Sequence, residues 1–170
     1  MSEDADKRLY LETYHKILCR AVSYESALTN KNILPSFFGK PSNMRPKENV
    51  DIRDICFVYN LHDPNKLVDS VKAEKVNLTD FNRDYIMYKY TRVGMVVDVG
   101  NHGMIAAILK GLAFHPVHVD DDSYYLQNYR TDGKYWYKGA KRIEKVNNDM
   151  FALLFTVSQM LYNEKYKICD

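Results

Sequence analysis

Residues 124 to 142 read YYLQNYRTDGKYWYKGAKR, with five tyrosines, the only tryptophan, and five lysines and arginines. From 130 to 145, Arg130, Lys134, Lys138, Lys141, Arg142 and Lys145 set six cations against two acids, Asp132 and Glu144, a local balance of +4. Rings interleaved with cations suit two kinds of partner. Tyr, Trp and Arg concentrate at the centres of protein interfaces, where a large ring or a planar guanidinium supplies contact area at small entropic cost. The same mixture holds single-stranded nucleic acid, because rings stack on bases while Lys and Arg meet phosphates. Tyr125, Tyr129, Arg130, Lys134, Tyr135, Trp136, Tyr137, Lys138, Lys141 and Arg142 are therefore the candidate binding residues. The competing reading is structural, since tyrosine is a common half-buried strand residue and the segment could be the edge of a core.

Asp132-Gly133 is a strong turn signal, because glycine accepts the positive φ that a tight turn needs. The segment is expected to be a hairpin of two aromatic strands. A three-residue loop over Thr131, Asp132 and Gly133 puts Tyr125, Tyr129, Tyr135 and Tyr137 on one face, with Leu126, Trp136 and the basic residues on the other. A two-residue loop brings Tyr129 opposite Trp136. In either register one face packs on helices and the other meets solvent.

Catalytic patterns are weaker. VVDVGNHG (96–103) reads as a strand, a glycine-containing turn and a helix start, a shape whose free N–H groups can hold phosphate. Its DVGN resembles the phosphate-gripping turn of the sugar-kinase and actin-like ATPases. That resemblance spans about eight residues, lacks the family's other motifs and carries no residue role over. Neither GxxxxGK[ST] nor GxGxxG is present. The plainer reading is a tight turn with Asn101 capping a helix.

His102, His115, His118 and Asp120 invite a metal, which needs several donors converging on one point. On a strand, His118 and Asp120 share a face and His115 takes the other unless Pro116 breaks the strand. Asp121 and Asp122 look like a solvated turn. With no HExxH pattern and no cysteine support, no metal and no cofactor are expected. Tyr137 and Lys141 have the spacing of a lysine that lowers a tyrosine's pKa, but no dinucleotide loop precedes them. Cys56 with His62, and Cys19 with His15, are possible thiol and base pairs. Cys56 lies in an apolar strand, and His15 and Cys19 flank an apolar stripe, so both pairs read as packing.

The elements that must position these residues follow from periodicity. Tyr10, Tyr14, Ile17, Ala21, Tyr24 and Leu28 step by fours and threes, which predicts a helix from near Asp4 to Thr29 with that stripe inward. Glu12 and Lys16 sit one turn apart on its other side. Residues 30–50 hold three prolines and read as a long connection, pinned by Phe37 and Phe38. A strand is expected over 54–61. A helix follows from Pro64 to about Lys75, capped by Asp63, with Leu67, Val68 and Val71 inside. Residues 84–100 read as two strands broken near Arg92–Gly94, or alternatively as a helix from Asp80 to Arg92. A short helix over 101–113 would bury Met104, Ile105, Ile108 and Leu112, and 115–120 is a strand. The closing helix, 147–166, has an asparagine cap and is apolar on two sides. Met150, Leu153, Leu154, Val157 and Leu161 form one side, and Phe151, Phe155 and Tyr162 the other.

The composition agrees with one α+β domain over 1–170, a mostly antiparallel sheet with a C-terminal hairpin covered by a long N-terminal and a buried C-terminal helix. A chain of 170 residues can bury about 70% of its unfolded surface. Its 46% hydrophobic and 27% charged residues are ordinary for a soluble protein. A net charge of +2 confines any polyanion binding to a local patch. Three cysteines without a CxxC pair point to a reducing compartment rather than a disulfide framework. The polar start MSEDADKRLY lacks signal-peptide order, and no apolar run reaches the ~20 residues of a membrane span. The location expected is therefore the cytoplasm or an assembled virion, not the secretory route and not a membrane. The excess of Tyr, Lys, Asn and Asp over Ala, Gly and Pro suits an AT-rich genome, as in many phages and other viruses. The expected function is a small non-enzymatic structural or assembly subunit that meets a protein partner or its own copies. Two alternatives are a nucleic-acid-binding accessory protein using the same hairpin, and a small enzyme for a phosphorylated or nucleotide substrate built on Asp98, Asn101, His102, His115 and His118.

Overall fold

The computed structural model describes residues 3–28, 33–38, 47–51, 56–57, 64–72, 88–90, 93, 95–97, 106, 109–111 and 114–166. Helix α1 (Glu3–Leu28) is followed by strands β1 (Lys47–Asp51) and β2 (Cys56–Phe57) and helix α2 (Pro64–Lys72). Strands β3 (Tyr88–Tyr90), β4 (Met95–Val97) and β5 (Phe114–Asp120) lead to a short helix α3 (Ser123–Asn128). Strands β6 (Tyr129–Thr131), β7 (Tyr135–Lys138) and β8 (Lys141–Lys145) then precede helix α4 (Asp149–Tyr166).

The strands form two sheets. One is mixed, in the order β1-β5-β3-β4-β2, with β1/β5 and β3/β4 antiparallel and β3/β5 and β2/β4 parallel. The other is the antiparallel meander β6-β7-β8. Antiparallel pairing dominates, and the class is α+β. The two-strand reading of 84–100 holds at β3 and β4, whose strand pairing excludes a helix reaching Arg92. The 30–50 connection is shorter than expected, because its end, from Lys47, pairs with β5. Of the expected 101–113 helix, Ala106 and 109–111 are described; Ala106 is buried and accepts from the Lys110 amide at 3.0 Å. Met104, Ile105, Ile108 and Leu112 lie outside the described residues, as do Asp63, 39–46 and 58–61.

Helix α1 has nearly the expected length but buries a different face. The inward residues are Leu18, Cys19 and Val22, with Leu11 packed beside them and His15 half-buried, and they meet α4. Tyr10, Tyr14 and Ile17, expected inside, are exposed at 63%, 44% and 57%. The helix carries apolar residues on two sides, and periodicity cannot say which one a partner helix will take. Lys7 pairs with Glu164 at 2.8 Å across the two helices, and Glu12 pairs with Arg8, not with Lys16. In α2, Leu67 and Val71 are half-buried while Val68 is exposed.

Helix α4 is the centre of the core. The Asn148 side-chain oxygen accepts from the Phe151 amide at 2.7 Å, the expected asparagine cap. Phe151, Ala152, Leu154, Phe155, Val157 and Tyr162 are buried, but Leu153 turns outward. The Gln159 amide nitrogen donates to the carbonyls of Leu126 and Tyr129, at 2.7 and 2.6 Å, locking α4 to the junction of α3 and β6. Phe38 wedges edge-on against Phe151 and Phe155, so the 33–38 segment is pinned as expected. Asp122, read as part of a solvated turn, is completely buried at the start of α3, and its Oδ2 accepts from the Val93 amide at 2.7 Å.

Candidate binding surface on the three-stranded sheet

Tyr124, Tyr125 and Leu126, expected on a strand, lie in α3, so the first hairpin strand starts only at Tyr129. Tyr129 stands opposite Lys138, Arg130 opposite Tyr137 and Thr131 opposite Trp136. Both registers anticipated for the Asp-Gly turn are therefore corrected. The reason lies in Asp132, whose Oδ1 accepts from the amides of Lys134 and Tyr135 at 2.8 Å each. Those bonds make Asp132 the residue before the turn rather than its first central residue. Gly133, with φ of 86°, and Lys134 close it. A second tight turn at Gly139, φ 57°, leads into β8, a third strand that the hairpin reading did not include.

Side chains of a strand alternate between faces, so this register decides which residues meet solvent. Tyr129 and Trp136 face α4 and are buried. Phe37 stacks on Tyr129 with centroids 4.0 Å apart, and Phe38 stacks on Tyr125 at 4.5 Å. Three of the ten candidates, Tyr125, Tyr129 and Trp136, thus belong to the aromatic core.

The opposite face carries Arg130, Tyr135, Tyr137 and Arg142. The Arg130 guanidinium lies 4.6 Å from the Tyr137 ring centroid, and that of Arg142 lies 4.6 Å from Tyr135. Arg142 is opposite Tyr137 in register, but a bulge between Trp136 and Tyr137 lets it reach the diagonal ring. Lys134, Lys141 and Lys145 are exposed around this pair of stacks. Lys138, at the rim, donates to the Tyr124 hydroxyl at 3.0 Å. That bond holds the Tyr124 phenol below the usual tyrosine range and the Lys138 ammonium above the usual lysine range.

Both acids of the segment are turned to backbone or hydroxyl donors. Glu144 accepts from the Ser36 amide at 2.7 Å, and Asp132 also accepts from the Tyr137 hydroxyl at 2.8 Å. Among the described residues none of the six cations makes an ion pair. Sequence reading missed Tyr124, the bulge and the diversion of both acids, none of which leaves a spacing signal.

The Tyr135 and Lys134 amides and the Tyr137 hydroxyl together hold the Asp132 carboxyl down to about 2. Tyr137 is correspondingly raised above the usual tyrosine range, chiefly by the bond its proton makes to Asp132. The folded carboxyl is more acidic than an unfolded one, at roughly 3.9, so its contribution is whole above that value. It is lost as pH falls through roughly 4 towards about 2. In an NMR acid titration the Lys134 and Tyr135 amides are expected to shift with a midpoint of about 2. A midpoint in the ordinary carboxylate range would rule the Asp132 clamp out.

The other chemical candidates resolve differently. Cys19 Sγ is 3.7 Å from His15 Nδ1, and His15 Nε2 is 3.1 Å from Ser158 Oγ. Ser158 gives its own proton to the Leu154 carbonyl at 2.8 Å, so its oxygen accepts from His15 and leaves Nδ1 facing the thiol. The arrangement suits a thiol and base, but Cys19 is buried within the α1–α4 contact, and a working thiolate needs access. Strand β5 pairs continuously through Pro116, so the break that would gather His115 with His118 and Asp120 does not occur. No metal-sized group of His, Cys, Asp or Glu exists among the described residues. Asp98, Asn101, His102 and His62 lie outside them. No helix among the described residues is long and apolar enough to cross a membrane.

The model of the family of unknown function DUF6710 matches residues 57–168, and the chain belongs to that family. The matched span contains the whole three-stranded sheet and all of α4, while α1 precedes it. No curated protein and no solved structure matches the chain.

Proposed function

We propose that this DUF6710 protein is a non-enzymatic contact or assembly subunit that docks an acidic protein surface on the outer face of β6–β8. One observation carries the reading: the guanidinium groups of Arg130 and Arg142 lie over the rings of Tyr137 and Tyr135, 4.6 Å from each centroid, and neither makes an ion pair among the described residues. A stacked guanidinium keeps its N–H edge free for a carboxylate and loses little freedom on binding, because the ring already orders it. Lys134, Lys141 and Lys145 around it raise the rate of encounter with an acidic partner. A protein partner is favoured over nucleic acid because stacking on bases needs open rings. Here Tyr129 and Trp136 are turned inward, and Tyr135 and Tyr137 lie beneath guanidinium groups.

The full chain is expected to bind a poly-glutamate probe with an affinity that falls steeply as salt rises. Reversing Arg130, Arg142 and Lys145 together to glutamate, the cations on the face of Tyr135 and Tyr137, abolishes that binding. Reversing the exposed Lys66, Lys72 and Lys110 together, an equal change in net charge, leaves it. Equal loss in both triple variants, or no binding by the native chain, overturns the assignment. Tighter binding of a single-stranded oligonucleotide than of poly-glutamate replaces it with the nucleic-acid reading.

A further inference from the structure

Helix α1 presents a second ordered surface, on the side away from the core. At about 100° per residue, Asp6, Tyr10, Thr13, Ile17 and Arg20 fall within a sector of roughly 80°. The centre of that sector lies about 160° from the buried face of Leu11, His15, Leu18, Cys19 and Val22. All five outer residues are exposed, and Leu9 and Tyr14 widen the strip on its two sides. The Tyr10 and Tyr14 rings lie 4.8 Å apart and the Tyr10 hydroxyl donates to that of Tyr14 at 3.2 Å, so the aromatic part is already ordered. Thr13 satisfies its hydroxyl on the Leu9 carbonyl at 2.8 Å, which leaves a small, quiet centre where another helix can approach closely.

The two halves of the strip are complements. Asp6 stands seven residues before Thr13 and Arg20 seven after it; Leu9 stands four before and Ile17 four after. A twofold axis through Thr13 therefore sets Asp6 of one copy against Arg20 of the other, Leu9 against Ile17, and Tyr10 against Lys16 beside it. An isologous dimer requires a patch that is its own complement. An unrelated partner gives no reason for charge and apolar bulk to be mirrored about one residue. Asp6 and Arg20 form no ion pair among the described residues, so both charges are available to the second copy.

We infer that a second copy of this chain docks antiparallel on the outer face of α1, about a twofold axis at Thr13. The contact uses neither face of the β6–β8 sheet, so it stands or falls apart from the acidic-partner reading. The test is size-exclusion chromatography with light scattering on the full chain. The native protein is expected at twice the mass of one chain, dissociating on dilution. Ile17→Glu, Asp6→Arg and Arg20→Asp each bring it to the mass of one chain. Asp6→Arg combined with Arg20→Asp restores the dimer, because the pair is exchanged rather than lost. These side chains are exposed, and a native far-UV circular dichroism spectrum with cooperative thermal unfolding confirms that the variants fold. A native chain of single mass at every concentration overturns the inference. So does a double variant that associates no better than the single ones, or an Ile17→Glu chain that stays dimeric.

Discussion

Trp136→Ala is expected to lower the unfolding free energy by about 3–5 kcal/mol, the range for truncating a large ring in a core. Trp136 has no exposed surface. Its ring meets Phe155 edge-on at 5.1 Å, Phe37 at 5.3 Å and Phe151 at 6.1 Å. These neighbours come from α4 and from the 33–38 segment, so the cavity would open where three parts of the chain converge. The indole Nε1 is buried with no hydrogen-bond partner among the described residues. A buried donor left unmade costs about 1–3 kcal/mol, so Trp136→Phe recovers part of what it loses in volume. Phe is therefore expected to be much the milder change. Denaturant unfolding of the two variants checks this. A loss below about 1 kcal/mol for Ala, or equal losses for Ala and Phe, would show that the ring does not organise this core as described.

Asp122→Ala is expected to cost on the order of 1–3 kcal/mol, the range for a buried donor left without its acceptor, through a buried bond rather than a cavity. The Asp122 carboxylate, fully enclosed, takes the Val93 amide proton, and its backbone carbonyl accepts from the amides of Tyr125 and Leu126. One residue thereby ties the β3–β4 turn to the first turn of α3. Alanine leaves the Val93 N–H buried without that acceptor, whereas asparagine retains an oxygen for it. Amide exchange at Val93 should accelerate strongly in the Ala variant and less in Asn, alongside the loss of stability. Unaltered exchange at Val93 in both variants would refute the link.

These two residues show how far local pattern reaches. Trp136 was readable as part of an aromatic, β-rich segment, yet its face depends on the register. The register was set by two amide bonds that the Asp132 carboxylate accepts. Asp122 is one of three consecutive aspartates and carries no mark distinguishing it from its neighbours. Its burial arises because Val93, remote in sequence, presents an N–H to it. Cys19 and His15 were expected as packing residues at the flank of a stripe. They lie on the inward face itself, because α4 sits against that side of α1.

What the amino-acid sequence determined by itself is whatever is settled within a few residues. The extent of α1 follows from its periodicity, and the start of α4 from the Asn148 side chain reaching the Phe151 amide. The turn at Gly133 follows from the positive φ that glycine accepts, and the anchoring of 33–38 from its two phenylalanines, whereas the turn at Gly139 carried no such mark. What only the tertiary structure decided is which of two apolar sides of α1 is covered, and which rings of the 124–142 segment remain outside. Both depend on partners distant along the chain. A helix with two apolar sides and a strand with rings on both of its faces are each locally consistent either way. The choice comes from the neighbour whose burial removes more apolar surface from water, and that neighbour is supplied by the fold.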